Sequence, residues 1–256
     1  MFNYGNLDHQ LYLADTSTDL DALVKDNSVD LIFADPPYNI GKDFGTTKDK
    51  WESDHAYAQW CYKWIDTCLK KLTATGSIYL MTSTQAMPYF DLYVRDKISI
   101  LSRMIWSYDS SGVQAKKYYG SMYEPILYGV KNKNSYTFNA KDILVDAPTG
   151  SKRKLMDYRK NPPAPYSQEK VPGNVWEFSR VRFKMPEYRE HPTQKPEALL
   201  ERIIKASSNP GDLILDPFSG TFTTCAVAKR LGRRSIGLDI NPEFVKMGAE
   251  RIGFGV

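Results

Sequence analysis

Cysteine and histidine are scarce, with three of each among 256 residues. Cys61, Cys68 and Cys225 show no C-x-x-C spacing, and with only His9, His55 and His191 beside them no metal site is expected. The cysteines read instead as reduced thiols, Cys61 and Cys68 lining the buried face of one helix. No charged-then-apolar segment opens the sequence and no uninterrupted apolar run approaches membrane length, so a soluble, cytoplasmic protein is expected. Internal repeats and low-complexity tracts are also missing. At 256 residues and 42% hydrophobic content, the chain suits a single α/β domain carrying an insertion.

Apolar residues set the element pattern. Tyr57, Trp60, Cys61, Trp64, Ile65, Cys68, Leu69 and Leu72 recur at three- and four-residue spacing, which predicts an amphipathic helix over about 55 to 72 with its aromatics in the core. Gly76 precedes a buried strand, Ser77-Ile78-Tyr79-Leu80-Met81. Leu199, Leu200, Ile203 and Ile204 repeat the helical pattern, with Pro196 near its start and Asn209-Pro210-Gly211 at its end. This alternation predicts a mostly parallel sheet with helices on both faces.

Two strings carry chemistry. Asp35-Pro36-Pro37-Tyr38 closes the apolar run Val29 to Ala34. Acids and prolines end many strands in ordinary turns, but this string also supplies what methylation of an exocyclic amine needs. The lone pair of such an amine is delocalised into its ring, so catalysis requires acceptors that hold the N–H bonds while nitrogen pyramidalises. Asp35 offers a carboxylate, Pro36 a carbonyl without a competing N–H, the prolines stiffness, and Tyr38 a ring that can stack on a base.

The second string, Asp216-Pro217-Phe218-Ser219-Gly220-Thr221-Phe222-Thr223-Thr224, follows the strand-like Leu213-Ile214-Leu215 and leads into Ala226-Val227-Ala228. Strand, tight turn and helix in that order make an anion-favouring helix N-terminus with a glycine that allows close backbone approach. Ser235-Ile236-Gly237-Leu238 reads as the next strand, and Asp239, about 20 residues on, is placed to accept bonds from ribose hydroxyls. An ordinary strand-to-helix turn is the plain alternative, and the first string argues against it.

Taken together, these residues resemble the β-class bacterial DNA amino-methyltransferases, in which the catalytic string precedes the S-adenosylmethionine string. His191-Pro192-Thr193-Gln194-Lys195-Pro196 matches the segment before the cofactor half, and the match covers nearly the whole chain. The resemblance implies a Rossmann-like fold, a catalytic half over 1–130, a target-recognition insertion over 131–190 and a cofactor half over 191–256. It places Asp35, Pro36, Pro37 and Tyr38 in catalysis. It places the cofactor against Asp15, Thr16, Asp35, His191, Thr193, Gln194, Lys195, Asp216, Pro217, Phe218, Ser219, Gly220, Thr221, Thr223, Asp239 and Asn241. In that scheme Thr193 and Lys195 face the cofactor carboxylate and His191 is a binding or structural residue rather than a base. The chain departs from the family at Ala14, where glycine is usual before Asp15-Thr16, and at Phe222, which puts a large ring where the family often has Gly-Ser-Gly-Thr-Thr.

Residues 150 to 190 hold ten Lys or Arg against five acids, a balance of +5 in a chain of net +4. The rest is about neutral, so the positive charge is concentrated where the resemblance puts DNA recognition. Lys152, Arg153, Lys154, Arg159, Lys160, Arg180 and Arg182 are the DNA-contact candidates there, Arg180 and Arg182 because their alternation suits a strand near a groove. Lys116 and Lys117, in the polar stretch after Trp106, could join them. A solvated charged loop is the plain alternative.

The reading is an S-adenosylmethionine-dependent methyltransferase acting on N6 of an adenine flipped out of double-stranded DNA. Resemblance to solitary bacterial enzymes gives ATGCAT as the expected target and a homodimer as the expected assembly. Cytosine-N4 or RNA methylation, or a DNA-binding module without catalysis, are the alternatives. Whether a cognate restriction nuclease accompanies the chain is open in the sequence.

Overall fold

The computed structural model describes residues 3–45, 47–109, 116–147 and 155–255. Nine strands form one sheet in the order β1 (Asn3–Gly5), β2 (His9–Leu13), β13 (Arg234–Asp239), β12 (Leu213–Asp216), β3 (Val29–Ala34), β4 (Leu72–Met81), β6 (Tyr123–Val130), β5 (Ser99–Ser107), β11 (Val175–Glu177). From β2 to β4 all neighbours run parallel. β6 is antiparallel to both β4 and β5, β1 is antiparallel to β2, and β11 is parallel to β5. The mostly parallel sheet is as expected.

The strands are buried because successive residues feed different cores. Ile32 and Ala34 of β3, Ile78 and Leu80 of β4, and Leu215 of β12 point to one face. Leu31 and Phe33, Tyr79 and Met81, and Ile214 point to the other. Such period-two alternation, apolar at both phases, is what a sheet covered on both sides requires.

On the first face lie α1 (Leu20–Leu23), α2 (Asp54–Lys71) and α3 (Met87–Val94). Ser53 caps α2 by accepting from the Ala56 N–H at 3.1 Å, and Cys61, Trp64, Ile65 and Cys68 are wholly buried, in keeping with their spacing. On the second face α4 (Glu197–Ser207) and α5 (Thr223–Arg230) pack through Leu199, Leu200, Ile203, Ile204, Val227 and Ala228. A third core joins Leu11, Phe222 and Cys225 to Val245, Ala249 and Ile252 of α6 (Pro242–Ile252).

Phe222 finds its place through glycine. Its backbone is left-handed, with φ of 54°, and its ring is fully buried. A Cβ at Gly248 would sit 2.3 Å from the ring, and one at Gly237 would sit 2.7 Å from it. Both glycines therefore make the space into which the ring goes.

The segment from 131 to 190 does not follow this architecture. Among its described residues are short two-residue ladders, β7 (Val145–Asp146) with β10 (Glu169–Lys170) and β8 (Met156–Asp157) with β9 (Ala164–Pro165), before β11 returns to the sheet edge. No helix among the described residues is long and apolar enough to cross a membrane.

Candidate methyl-transfer site

In an open parallel sheet the strand ends are where loops diverge and ligands bind. The carboxyl ends of β2, β3, β12 and β13 deliver Asp15, Asp35, Asp216 and Asp239 to one cavity of about 310 Å³. Every residue that the resemblance assigns to catalysis or to the cofactor lines it.

The Asp35 turn is held from three sides. Tyr57 of α2 donates its hydroxyl to the Pro37 carbonyl at 2.6 Å, and the Tyr38 N–H donates to Asp49 Oδ2 at 3.1 Å. The Tyr38 hydroxyl lies 2.5 Å from Asp35 Oδ1 and 2.8 Å from Glu124 Oε2. Among the described residues nothing donates to the Pro36 carbonyl, which leaves it as a free acceptor.

The resemblance puts Lys195 on the cofactor carboxylate, but its ammonium is 2.7 Å from Asp35 Oδ2 and 3.4 Å from Glu124 Oε2. Burial works against its charge, yet the two carboxylates outweigh burial and raise Lys195 above its ordinary value. Burial raises the Asp35 carboxyl, the Lys195 ammonium opposes that rise, and Glu124 adds to it. Burial first, then the two carboxylates, hold the Tyr38 hydroxyl in its protonated form.

Around the cofactor string, several of the expected cofactor residues are committed to the protein. Thr16 donates to the Pro217 carbonyl, and the Ser219 hydroxyl donates to the Asp216 carbonyl at 2.9 Å. The Thr221 and Thr223 hydroxyls share a 2.8 Å bond, and Arg251 donates to both, at 3.3 and 2.8 Å. Asn241 spends both ends of its amide, one accepting from Glu243 N to cap α6 and one donating to the Phe44 carbonyl. Gln194 pins its own loop between Glu187 and Arg189. Asp15 is exposed and accepts from Ser17.

The two strand-end acids are different. Asp216 is buried, bonded by the Thr224 hydroxyl at 2.5 Å and the Phe218 N–H at 3.1 Å, and burial pushes its carboxyl up to about 7. Asp239 accepts from Gly220 N and Asn241 N, and burial pushes it up to about 6. Acids held this high by burial are stabilised by a cationic ligand.

His191 packs over Gly220. A Cβ there would come 2.9 Å from Nε2, and the glycine has a φ of 49°, so the close approach expected at this glycine is made by the imidazole. Burial first, then Lys195 and Lys42, push His191 down to about 3. It is held neutral with a basicity well below that of a free imidazole, which makes it a weak proton acceptor. Phe44 and Phe244 flank its ring at 5.8 and 4.6 Å between centroids.

Phe44, Phe244 and Glu124 escape a reading of the sequence. Glu124 has one weak signal, an acid opening the apolar run Pro125 to Val130. Only the antiparallel entry of β6 brings it beside the carboxyl ends.

Of the DNA-contact candidates, Lys116 and Lys117 are exposed beside the exposed Tyr118 and Tyr119, and Lys160 is exposed. Arg159 is tied to Asp157 at 2.8 Å. Arg180 and Arg182 are not in a strand, because β11 ends at Glu177. They turn instead to the end of β5: Arg180 stacks 5.0 Å from the Tyr108 ring, and Arg182 donates to the Asp109 carbonyl at 3.3 Å. Lys152, Arg153 and Lys154 lie outside the described residues.

This fold, with acids at the strand ends and a Pro-Pro-Tyr turn among them, defines an amino-methyltransferase. The family model described as DNA methylase, for N6 and N4 amino groups, matches residues 29–250. The chain is 61% identical over 225 residues to the DNA adenine methyltransferase YhdJ of Escherichia coli (strain K12), covering 88% of this chain and 76% of that one. It is 37% identical over 230 residues to the type II methyltransferase M.HpaI of Haemophilus parainfluenzae, covering 90% and 69%. Among solved structures, the cytosine-N4-specific PvuII DNA methyltransferase superposes with a TM-score of 0.73 at 18% identity, covering 97% of this chain and 87% of that one. The M1.HpyAVI–SAM complex gives 0.67 at 21% identity, covering 96% and 100%. The chain belongs to the N6/N4 DNA methylase family: it is a DNA methyltransferase whose methyl donor is S-adenosylmethionine.

Proposed function

We propose that the chain methylates N6 of adenine in duplex DNA, the target nucleotide being flipped out to reach the Asp35 turn. The observation that carries this is the pair of acceptors at that turn, the Asp35 carboxylate and the Pro36 carbonyl without a donor, at the end of β3 and in the wall of the cavity. An exocyclic amine has two N–H bonds to place. Held by both acceptors, nitrogen can direct its lone pair at the methyl group. The N–C bond forms as the C–S bond breaks, the breaking pair going to sulfur. The amine becomes positive beside Asp35 and then gives its proton up to solvent, so no base is needed before attack.

The residues fit the cofactor. Asp216 and Asp239 supply negative charge at the strand ends for a cationic ligand, and Asp239 can also accept from ribose hydroxyls. Asp rather than Ser before Pro36-Pro37-Tyr38 favours adenine, as does the 61% identical relative named as an adenine methyltransferase. The basic segment between 131 and 190, with Lys116 and Lys117, grips the duplex in this reading, ATGCAT is the target, and the enzyme works in the cytoplasm as a homodimer. Sequencing methylated DNA from a host that expresses the chain tests base and site together. N6-methyladenine within ATGCAT is expected, and N4-methylcytosine would replace the adenine assignment. Sedimentation at assay concentration tests the dimer.

A further inference from the structure

Glu124 belongs to no string that the sequence singles out, yet its carboxylate is in the same cluster as Asp35. It enters on β6, opposite Trp106 of β5, and lies outside the lining of the cavity. The cluster holds more acceptors than its donors can satisfy at once. Tyr38 has a single hydroxyl proton, with Asp35 Oδ1 at 2.5 Å and Glu124 Oε2 at 2.8 Å. Lys195 spans the same two acids, at 2.7 Å from Asp35 and 3.4 Å from Glu124. As they stand, Tyr38 and Lys195 occupy one oxygen each of the carboxylate that the target amine must use. Both donors have Glu124 Oε2 as a second acceptor within reach; Lys195 also lies 3.3 Å from the Thr193 carbonyl, but Glu124 is the carboxylate that the two donors share.

We propose that Glu124 is a positioning residue for methyl transfer: it takes up the Tyr38 hydroxyl and the Lys195 ammonium when the target amine arrives, leaving Asp35 oxygens free for the amine. This rests on the assignment of Asp35 as the amine acceptor. With Glu124 as alternative partner the Tyr38 hydroxyl is not left unpaired in a buried site, which would cost its desolvation, and the Lys195 ammonium keeps a carboxylate beside the Thr193 carbonyl. Tyr38 and Lys195 then remain oriented. The charged and titratable groups facing Asp35 are Lys195, Glu124, Tyr38, Tyr57 and Asp216; Glu124 also faces Tyr108, on which Arg180 stacks.

Steady-state kinetics of Glu124→Ala, Glu124→Gln and Glu124→Asp, against Asp35→Ala, test this. Glu124→Ala should lower kcat about 10²-fold, the scale of a mispositioned reacting group, with KM for S-adenosylmethionine unchanged. Glu124→Asp, which keeps charge and acceptor, should recover part of the loss. In Glu124→Gln the acid limb of the kcat profile should move to lower pH, because a negative charge that raises Asp35 has gone. A purely structural role would lower the melting temperature without moving that limb. Wild-type kcat and an unmoved acid limb in Glu124→Gln, beside an inactive Asp35→Ala, would overturn the inference alone. An active Asp35→Ala would overturn the underlying assignment instead. Glu124→Gln is nearly isosteric and carries the test if the alanine variant does not fold.

Discussion

At the carboxyl edge of the sheet, four acids, Asp35, Glu124, Asp216 and Asp239, sit on or beside strands buried on both faces. Among the described residues between 131 and 190, one cation, Lys170, lies in a two-residue ladder, and the others sit mainly on turns and irregular chain, most of them exposed. The difference is one of precision against reach. A buried carboxylate costs free energy unless it is paired and hydrogen-bonded, so the sheet must hold Asp35 and Asp216 against fixed partners. A cation that meets a phosphate in water needs only proximity. Substitutions at the cavity should therefore be large and specific, and those on the basic segment small and graded.

The largest effect is expected at Asp35. Asp35→Ala removes the acceptor for the developing positive charge and should lower turnover about 10²–10³-fold, as loss of one such group typically does. Transfer of labelled methyl under saturating substrates measures this, and near-normal turnover would remove Asp35 from the reaction.

Tyr38 comes next. Stacking on an unpaired base is worth about 1–3 kcal/mol, so Tyr38→Ala should lose that and the hydroxyl together. Tyr38→Phe keeps the ring but abandons both carboxylates, and its loss should lie between wild type and alanine. If Phe is as poor as Ala, the hydroxyl carries the whole effect.

Asp239→Ala should weaken S-adenosylmethionine binding while leaving DNA affinity little changed. A bond to a charged group is worth about 1.5–3 kcal/mol, hence about 10- to 150-fold in Kd by calorimetry. An unchanged Kd would free Asp239 from the ribose.

The same acids make the cavity sensitive to pH. Burial raises Asp216 to about 7 and Asp239 to about 6, so the fold favours their protonated forms. Their contribution to the stability of the cofactor-free protein is full below the ordinary carboxylate value and is lost as pH rises through 6 to 7. A cationic ligand favours the ionised forms. The rise in melting temperature on adding S-adenosylmethionine should therefore grow between about pH 5 and about pH 8, with protons released on binding. A pH-independent shift would mean that these acids do not meet the ligand's charge.

The smallest effects belong to the basic residues. Lys116→Ala with Lys117→Ala, and the triple change of Lys152, Arg153 and Lys154, should weaken target and non-target duplexes alike. For every phosphate that goes unneutralised, the slope of log affinity against log salt should flatten by about 0.9. Unchanged affinity and slope in both variants would make these cations a solvated surface and shift recognition towards Arg180 and Arg182.

Much of the cavity is legible in the sequence because its residues sit at strand ends, and strand ends are marked locally. Apolar runs such as Val29 to Ala34 and Leu213 to Leu215 stop at an acid, and a proline follows each acid. What the individual side chains do is less legible. Lys195 belongs by its string to the cofactor but reaches Asp35, while Asn241 and Gln194 spend their amides on neighbouring loops. Those bonds join segments that no local spacing relates. Arg180 and Arg182 alternate as a strand would, but β11 has already ended, and they are held by Tyr108 and Asp109.

The alternation of strands and helices, the two-faced burial of the sheet and the acids at its carboxyl edge all follow from the order of residues alone. Hydrophobic period and turn chemistry are properties of neighbouring residues, readable without a fold. The direction of β6 against its neighbours is of another kind, since it arises only when the sheet is assembled. That reversal places Glu124, nearly ninety residues from Asp35 in the chain, on the same tyrosine hydroxyl. Direction within a sheet is settled by which edges remain to be paired and which faces remain to be covered, and those are conditions that the whole chain meets together.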